Sequence, residues 1–163
     1  NQYRYIVSNV ISRGGVSGAA KISETIIIDK GLKDGVYNGL SVIVGDGIIV
    51  GKVTDAKEAI AKVDLTTSNY CKLAATIFGD NKTSGITEGE MGLTVRMGFI
   101  PQSAIVEKDD LVVTSGLEET IPRGLIIGKV IEAKNEKNDL WQSAVIEPLV
   151  ATDGLIIVSV LLP

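Results

Sequence analysis

The sequence predicts an all-β protein built as two small β-barrels related by an internal repeat, and three observations carry that reading. The chain holds 21 Ile and 18 Val among 163 residues, and β-branched aliphatics fit the pleated, half-buried surface of a strand. It also holds 18 Gly, above the usual ~7% of an ordinary domain, so tight turns should be frequent. The third observation is internal: GIIVGKVTDAK at 47–57 aligns without gaps with GLIIGKVIEAK at 124–134, offset by 77 residues and identical at seven of eleven positions.

The elements follow in order. In the first copy the apolar runs predict strands at 24–29, 40–44, 48–54, 59–65 and 71–78; in the second, at 92–98, 110–115, 125–133, 141–149 and 155–162. Upstream of the repeated segment KDG at 33–35 has a counterpart in KDD at 108–110, and downstream AKVDL at 61–65 resembles AVIEPL at 144–149. No amphipathic stretch of helical length separates the strands, which disfavours a parallel α/β sheet. Short strands with such turns must close or pack as a sandwich, because open edges invite aggregation. The expected division is an N-terminal segment at 1–21, a first barrel at 22–78 and a second at 79–163, with strand exchange between the barrels allowed. GDNKTSG at 79–85 and NEKNDL at 135–140 read as polar loops.

Composition excludes several functions. Sixteen basic against twenty acidic residues, a net charge of −4, provide no cationic stripe for a nucleic-acid backbone. The absence of histidine removes Ser-His-Asp triads, Cys-His dyads and imidazole-ligated zinc. Cys71, the only cysteine, cannot form an internal disulfide and reads as a small buried residue. No run of ~20 apolar residues is present to span a bilayer. Opening on NQYRYIVSNV without Met, the chain reads as a fragment of a longer protein.

Candidate chemistry is sparse. In VVTSGLEETIPRGLIIGKV at 112–130, Ser115 follows an apolar run and precedes Gly116, as a hydrolase serine does. Without histidine its base would have to be Lys129 or Lys108. Lys129 is matched by Lys52 in the other copy, where no TSG occurs, and VTSGL lacks the GxSxG form of a nucleophile elbow. Ser115 therefore reads as a turn residue whose hydroxyl bonds nearby backbone. GDGIIVGK has the letters of a phosphate loop, but its glycines flank a strand: Gly45 and Gly47 fit a hairpin turn, and Gly51 a bulge or a close backbone approach. Glu118-Glu119 and Asp109-Asp110 fall in turns and read as solvated. Trp141, the only tryptophan, opens a strand and is the candidate partner anchor. No cofactor or metal is expected.

Three ordered motifs resemble the MreC family of bacterial rod shape-determining proteins: IDKGLKDGVYNGLSV at 28–42, GIIVGKV at 47–53 and DLVVTSGLEETIPRGLIIGKV at 110–130. The resemblance covers about residues 22–163. It implies two small β-barrels following a coiled coil and a transmembrane helix, and a noncatalytic scaffold of cell elongation outside the cytoplasm. The partners it implies are MreD, a class B penicillin-binding transpeptidase, indirectly MreB, and further copies of itself, with membrane attachment only through the N-terminal helix. The family's turn positions fall on Gly31, Asp34, Gly35, Gly39, Gly51, Ser115, Gly116, Pro122, Gly124 and Gly128. Two departures stand out: Asp109-Asp110 replaces the family's Gly-Asp, and GGVSGAAKISE at 14–24 differs from the usual approach to the first barrel. The alternatives kept beside this reading are a Ser-Lys hydrolase using Ser115 and a small-ligand-binding barrel.

Overall fold

The computed structural model describes residues 3–15 and 23–163. Its elements are twelve strands and one 3-10 turn at Leu32–Asp34. The strands are β1 (Arg4–Gly15), β2 (Ser23–Ile28), β3 (Ser41–Val44), β4 (Ile48–Ala56), β5 (Ala61–Leu65), β6 (Lys72–Ile77), β7 (Asp80–Glu90), β8 (Thr94–Pro101), β9 (Leu111–Thr114), β10 (Ile126–Lys134), β11 (Trp141–Glu147) and β12 (Ile157–Leu162).

Their pairings form two closed circuits. The first runs β1-β2-β5-β4-β3-β12 and back to β1. The second runs β6-β7-β8-β11-β10-β9 and back to β6. Every pairing within a ring is antiparallel; a single parallel bridge, Ile126 to Ile48, joins β10 to β4 between the rings. Closure removes the free edges that a sheet of this size would otherwise expose. The two circuits share one neighbour order when β12 of the first is matched to β6 of the second. The second ring is thus one continuous stretch of chain, inserted between the fifth and sixth strands of the first.

Inward-facing aliphatics fill both rings. Ile26, Ile28, Val42, Val50, Val53, Val63, Leu65, Val158 and Val160 lie in the core of the first, and β2 shows strict alternation of buried and half-buried residues. Leu73, Val95, Met97, Ile100, Val112, Ile127 and Ile146 belong to the core of the second. Complete burial of one such side chain is worth ~1.5–3 kcal/mol. Ile43, Ile49 and Leu161, carried by first-ring strands, belong to the second ring's cluster together with Ile121 and Leu125. The apolar interior therefore continues across the joint.

All ten expected strands are present, with ends shifted by a few residues, and two more are added. Residues 79–85 do not form a loop: Gly79 lies in a tight turn and 80–85 open β7, which pairs with β6 and β8. Its inward positions carry Thr83, Gly85, Thr87 and Gly89 rather than large aliphatics, so it lacks the usual signature. The expected segment at 1–21 is also corrected for its described part, because Arg4–Gly15 is β1, paired with β12 and β2. Residues 16–22, including most of the departure at 14–24, lie outside the described residues. The pairing divides the chain differently from 22–78 and 79–163: β6 joins the second ring, and β12 closes the first.

The repeated segment occupies the same place in both circuits. Gly51 in β4 faces the Asp64 carbonyl of β5, and Gly128 in β10 faces the Glu147 carbonyl of β11; at either glycine a Cβ would collide with that oxygen. Val53 exchanges backbone bonds with Gly39 and Leu40, and Val130 does so with Asp109 and Asp110. The structural counterpart of Asp109-Asp110 is therefore Gly39-Leu40, not the KDG at 33–35. Asp109 takes the left-handed conformation at φ 74°, as Gly39 does at 99°, so the turn survives without glycine.

Candidate functional site

The 112–130 stretch places its serine in an inert position. Ser115 donates its backbone N–H to the Ala74 carbonyl, while its hydroxyl is buried and has no hydrogen-bond partner. The expected bond from this hydroxyl to nearby backbone is absent; Thr114, one residue earlier, makes it instead. Thr114 Oγ1 donates to the Pro122 carbonyl at 2.6 Å and accepts from Leu125 N at 2.9 Å. Lys129 lies 4.0 Å from Asp109, and no bond joins it to Ser115. A nucleophile needs a base within hydrogen-bond reach, and neither lysine named for that role supplies one.

The turn residues divide by cause. Gly35, Gly39, Gly116 and Gly124 adopt positive φ of 87°, 99°, 80° and 92°, where a side chain is strained. Gly31, Gly51 and Gly128 serve close approach instead, as a Cβ at Gly31 would strike the Lys57 carbonyl. Asp34 accepts the Gly31 N–H through Oδ2 at 3.0 Å. Pro122 contributes its carbonyl to Thr114. Gly45 and Gly47 are left-handed at 56° and 138°, as the hairpin reading requires.

The loop at 115–125 meets the first ring as well as its own. Glu118 Oε1 accepts from Lys52 Nζ at 2.8 Å, and Lys52 also donates to the Lys72 carbonyl at 3.1 Å. Glu118 Oε2 accepts from Ala74 N at 3.3 Å. Thr120 Oγ1 donates to the Gly39 carbonyl at 2.8 Å, and Ile126 N to that of Gly47 at 2.8 Å. Glu118 is therefore not the solvated turn residue its sequence suggests; its partner lies 66 positions away, beyond any local pattern.

Trp141 opens β11 opposite Pro101 and is 49% exposed. Its ring meets Phe99 edge to face, with centroids 6.1 Å apart and planes at 68°. Phe99 sits at a bulge in β8, where Gly98 and Phe99 together oppose one residue of β11, and its φ of 56° is left-handed. Bulky residues pay for that conformation, and sequence offers no signal for it. Cys71 is buried, and desolvation pushes its thiol up to about 12 against the opposing influence of Lys52, which keeps it protonated and unreactive. A cavity of about 440 Å³ lies where the chain crosses between the rings, lined by Ser23, Thr67, Gly92, Leu93 and residues 147–153. It is bounded by crossovers, a hairpin tip and two strand ends, Ser23 and Glu147, not by inward-facing strand residues. Among the described residues no helix is long and apolar enough to cross a membrane.

Comparison with known proteins bears on both rings. The family model "Rod shape-determining protein MreC, barrel core" matches residues 16–162. The cell shape-determining protein MreC of Listeria monocytogenes is 33% identical over 150 residues, covering 90% of this chain and 49% of that protein. The chain thus spans about half the length of the curated relatives it matches. A solved MreC structure from Listeria monocytogenes aligns with a TM-score of 0.84 at 29% identity, over 98% of this chain and 76% of that one. The major periplasmic domain of the cell shape-determining filament MreC aligns at 0.81 and 20% identity, over 98% and 95%. MreC of Helicobacter pylori, solved in complex with the penicillin-binding protein PBP2, aligns at 0.73 and 17% identity, over 99% and 100%.

Proposed function

The chain belongs to the MreC family of rod shape-determining proteins, and on that premise we propose that it is a noncatalytic scaffold of the bacterial cell-elongation machinery. It controls cell shape by holding peptidoglycan-synthesising enzymes through protein contacts. The observation that carries the reading is the family match across 16–162, which takes in strands of both rings. The complex of the Helicobacter pylori relative with PBP2 supports a penicillin-binding transpeptidase of class B as the principal partner. MreD, further copies of the chain and, indirectly, MreB complete the partner set. The periplasmic domain among the structural relatives supports a position outside the cytoplasm, and the family resemblance implies an anchor in the cytoplasmic membrane.

The geometry agrees with a role in contact rather than catalysis. Ser115 has a buried, unbonded hydroxyl, so a Ser-Lys hydrolase has no assembled dyad. A ligand-binding barrel would need an internal cavity, and the rings are filled by side chains. The reading is tested by immobilising the chain and titrating the extracytoplasmic region of a class B transpeptidase from the same organism. Saturable binding is expected. Failure of both the chain and its full-length parent to bind would overturn the partner assignment, and stoichiometric Ser115-dependent labelling by a fluorophosphonate would overturn the noncatalytic one.

A further inference from the structure

The two copies of the repeated unit differ most at one place. In the first ring β3 and β4 are joined by three residues, 45–47; in the second, the equivalent β9 and β10 are joined by eleven, 115–125. Backbone bonds between Thr114 and Gly124 and between Thr114 and Leu125 close the base of this longer loop. Apart from the bonds of Ser115 and Glu118 to Ala74 of β6, its remaining contacts reach the other ring. Ile121 and Leu125 enter the buried cluster that holds Ile43, Ile49 and Leu161. Around that apolar contact stand Glu118 with Lys52, Thr120 with the Gly39 carbonyl, and the Ile126 to Gly47 bond at the loop's exit.

We propose that the 115–125 arm is a clamp that fixes the angle between the two rings, so that both present their outer surfaces as one rigid body. Two covalent crossovers, residues 66–71 and 148–156, join the rings; crossovers alone would let the second ring turn about them. The clamp opposes that rotation with anchors of different kinds at separate points. Thr120 grips the β3 approach, Ile126 grips the β3-β4 turn, and Glu118 ties β4 to β6 at once, because Lys52 also bonds the Lys72 carbonyl and Glu118 also bonds Ala74 N. A charge-assisted bond that shares its partners with backbone groups is directional, which an apolar contact is not. The ion pair and the Thr120 bond therefore set the angle, while the apolar residues set the adhesion. This inference rests on the contacts alone and stands whichever partner the chain binds.

The clamp is tested by double electron–electron resonance between spin labels on exposed strand positions, Lys62→Cys in β5 and Glu88→Cys in β7, with Cys71→Ala to remove the buried thiol. One narrow inter-ring distance is expected. Lys52→Met combined with Thr120→Val should broaden it at least two-fold, and Glu119→Gln, beside the anchors but not among them, should leave it unchanged. Amide exchange at Val63 and Met97 reports that each ring remains folded; should the double variant lose either ring, Glu118→Gln and Thr120→Val singly are read in the same way. A distribution unchanged in the anchor variants, or already broad in the starting protein, would overturn the proposal.

Discussion

The two rings use one neighbour order and share one repeated strand segment, yet they stand differently in the chain. The second is contiguous from Lys72 to Glu147, whereas the first is open until its last strand arrives from Ile157–Leu162. The contrast extends to matched residues. Lys52 and Lys129 occupy the same position of the repeat, but Lys52 is 23% exposed and bound to Glu118 at 2.8 Å, while Lys129 is 43% exposed and 4.0 Å from Asp109. Similar local sequence makes the same strand twice; what that strand does depends on the loop facing it.

The comparison can be broken most severely by removing β12. Truncation after Val150 deprives the first core of Leu155, Val158 and Val160 and should abolish protection of Ile26, Ile28 and Val63 in amide exchange. Leu73, Met97 and Ile146 should stay protected. Equal loss in both rings would show that they fold as a single cooperative unit.

Next in size are the two glycines that admit a neighbouring carbonyl. Gly51→Ala and Gly128→Ala each force a Cβ against backbone oxygen, and overpacking of this kind costs about 1–3 kcal/mol. Similar shifts in denaturation midpoint would show that the repeated close approach is equivalent in both rings; a negligible shift in one would show that its strands can move apart.

An effect no larger than this separates neighbours at the base of the arm. Thr114→Val removes a donor and an acceptor that serve Pro122 and Leu125, costing about 1–3 kcal/mol for the groups left unpaired. Ser115→Ala removes a hydroxyl with no partner and should be neutral or slightly stabilising in the same thermal melts.

The mildest test uses acid. Asp29, at the end of β2, accepts from the Asn9 side chain, the Asn9 backbone and Ser8, and these bonds lower its pKa from 3.8 to about 2. A carboxylate depressed in the folded state contributes fully above its unfolded pKa, and the contribution is lost as pH falls through the folded value. Asp29→Asn should therefore flatten the first ring's stability profile between about pH 4 and pH 2, followed by its amide protection. An unaltered profile would mean that the bonds to β1 do not persist in solution.

How much of this was legible depends on where each signal resides. The strands filled by Ile, Val and Leu were readable because burial and β-branching coincide along them. β7 was not, since Thr83, Gly85, Thr87 and Gly89 occupy its inward row: threonine there bonds backbone, as Thr87 does to the Leu73 carbonyl, and glycine admits Gly98 or Thr67 at close range. β1 was hidden for the opposite reason, because Tyr5, Val7 and Ile11 place apolar side chains on its exposed face. The turn glycines were legible as backbone requirements. The arm's role was not, because Glu118 and Thr120 find their partners only after both rings have formed.

The pairing of β1 with β12 has a mechanical consequence. Arg4 stands opposite Leu162, and the antiparallel register then runs inward to Asn9 and Ile157, so these two strand ends lie side by side at one end of the ladder. Tension applied to them would peel this ladder open one rung at a time instead of shearing it as a whole. The second ring, lying inside the covalent loop that this ladder closes, would feel no load until the ladder had parted. The first ring would act as its mechanical fuse.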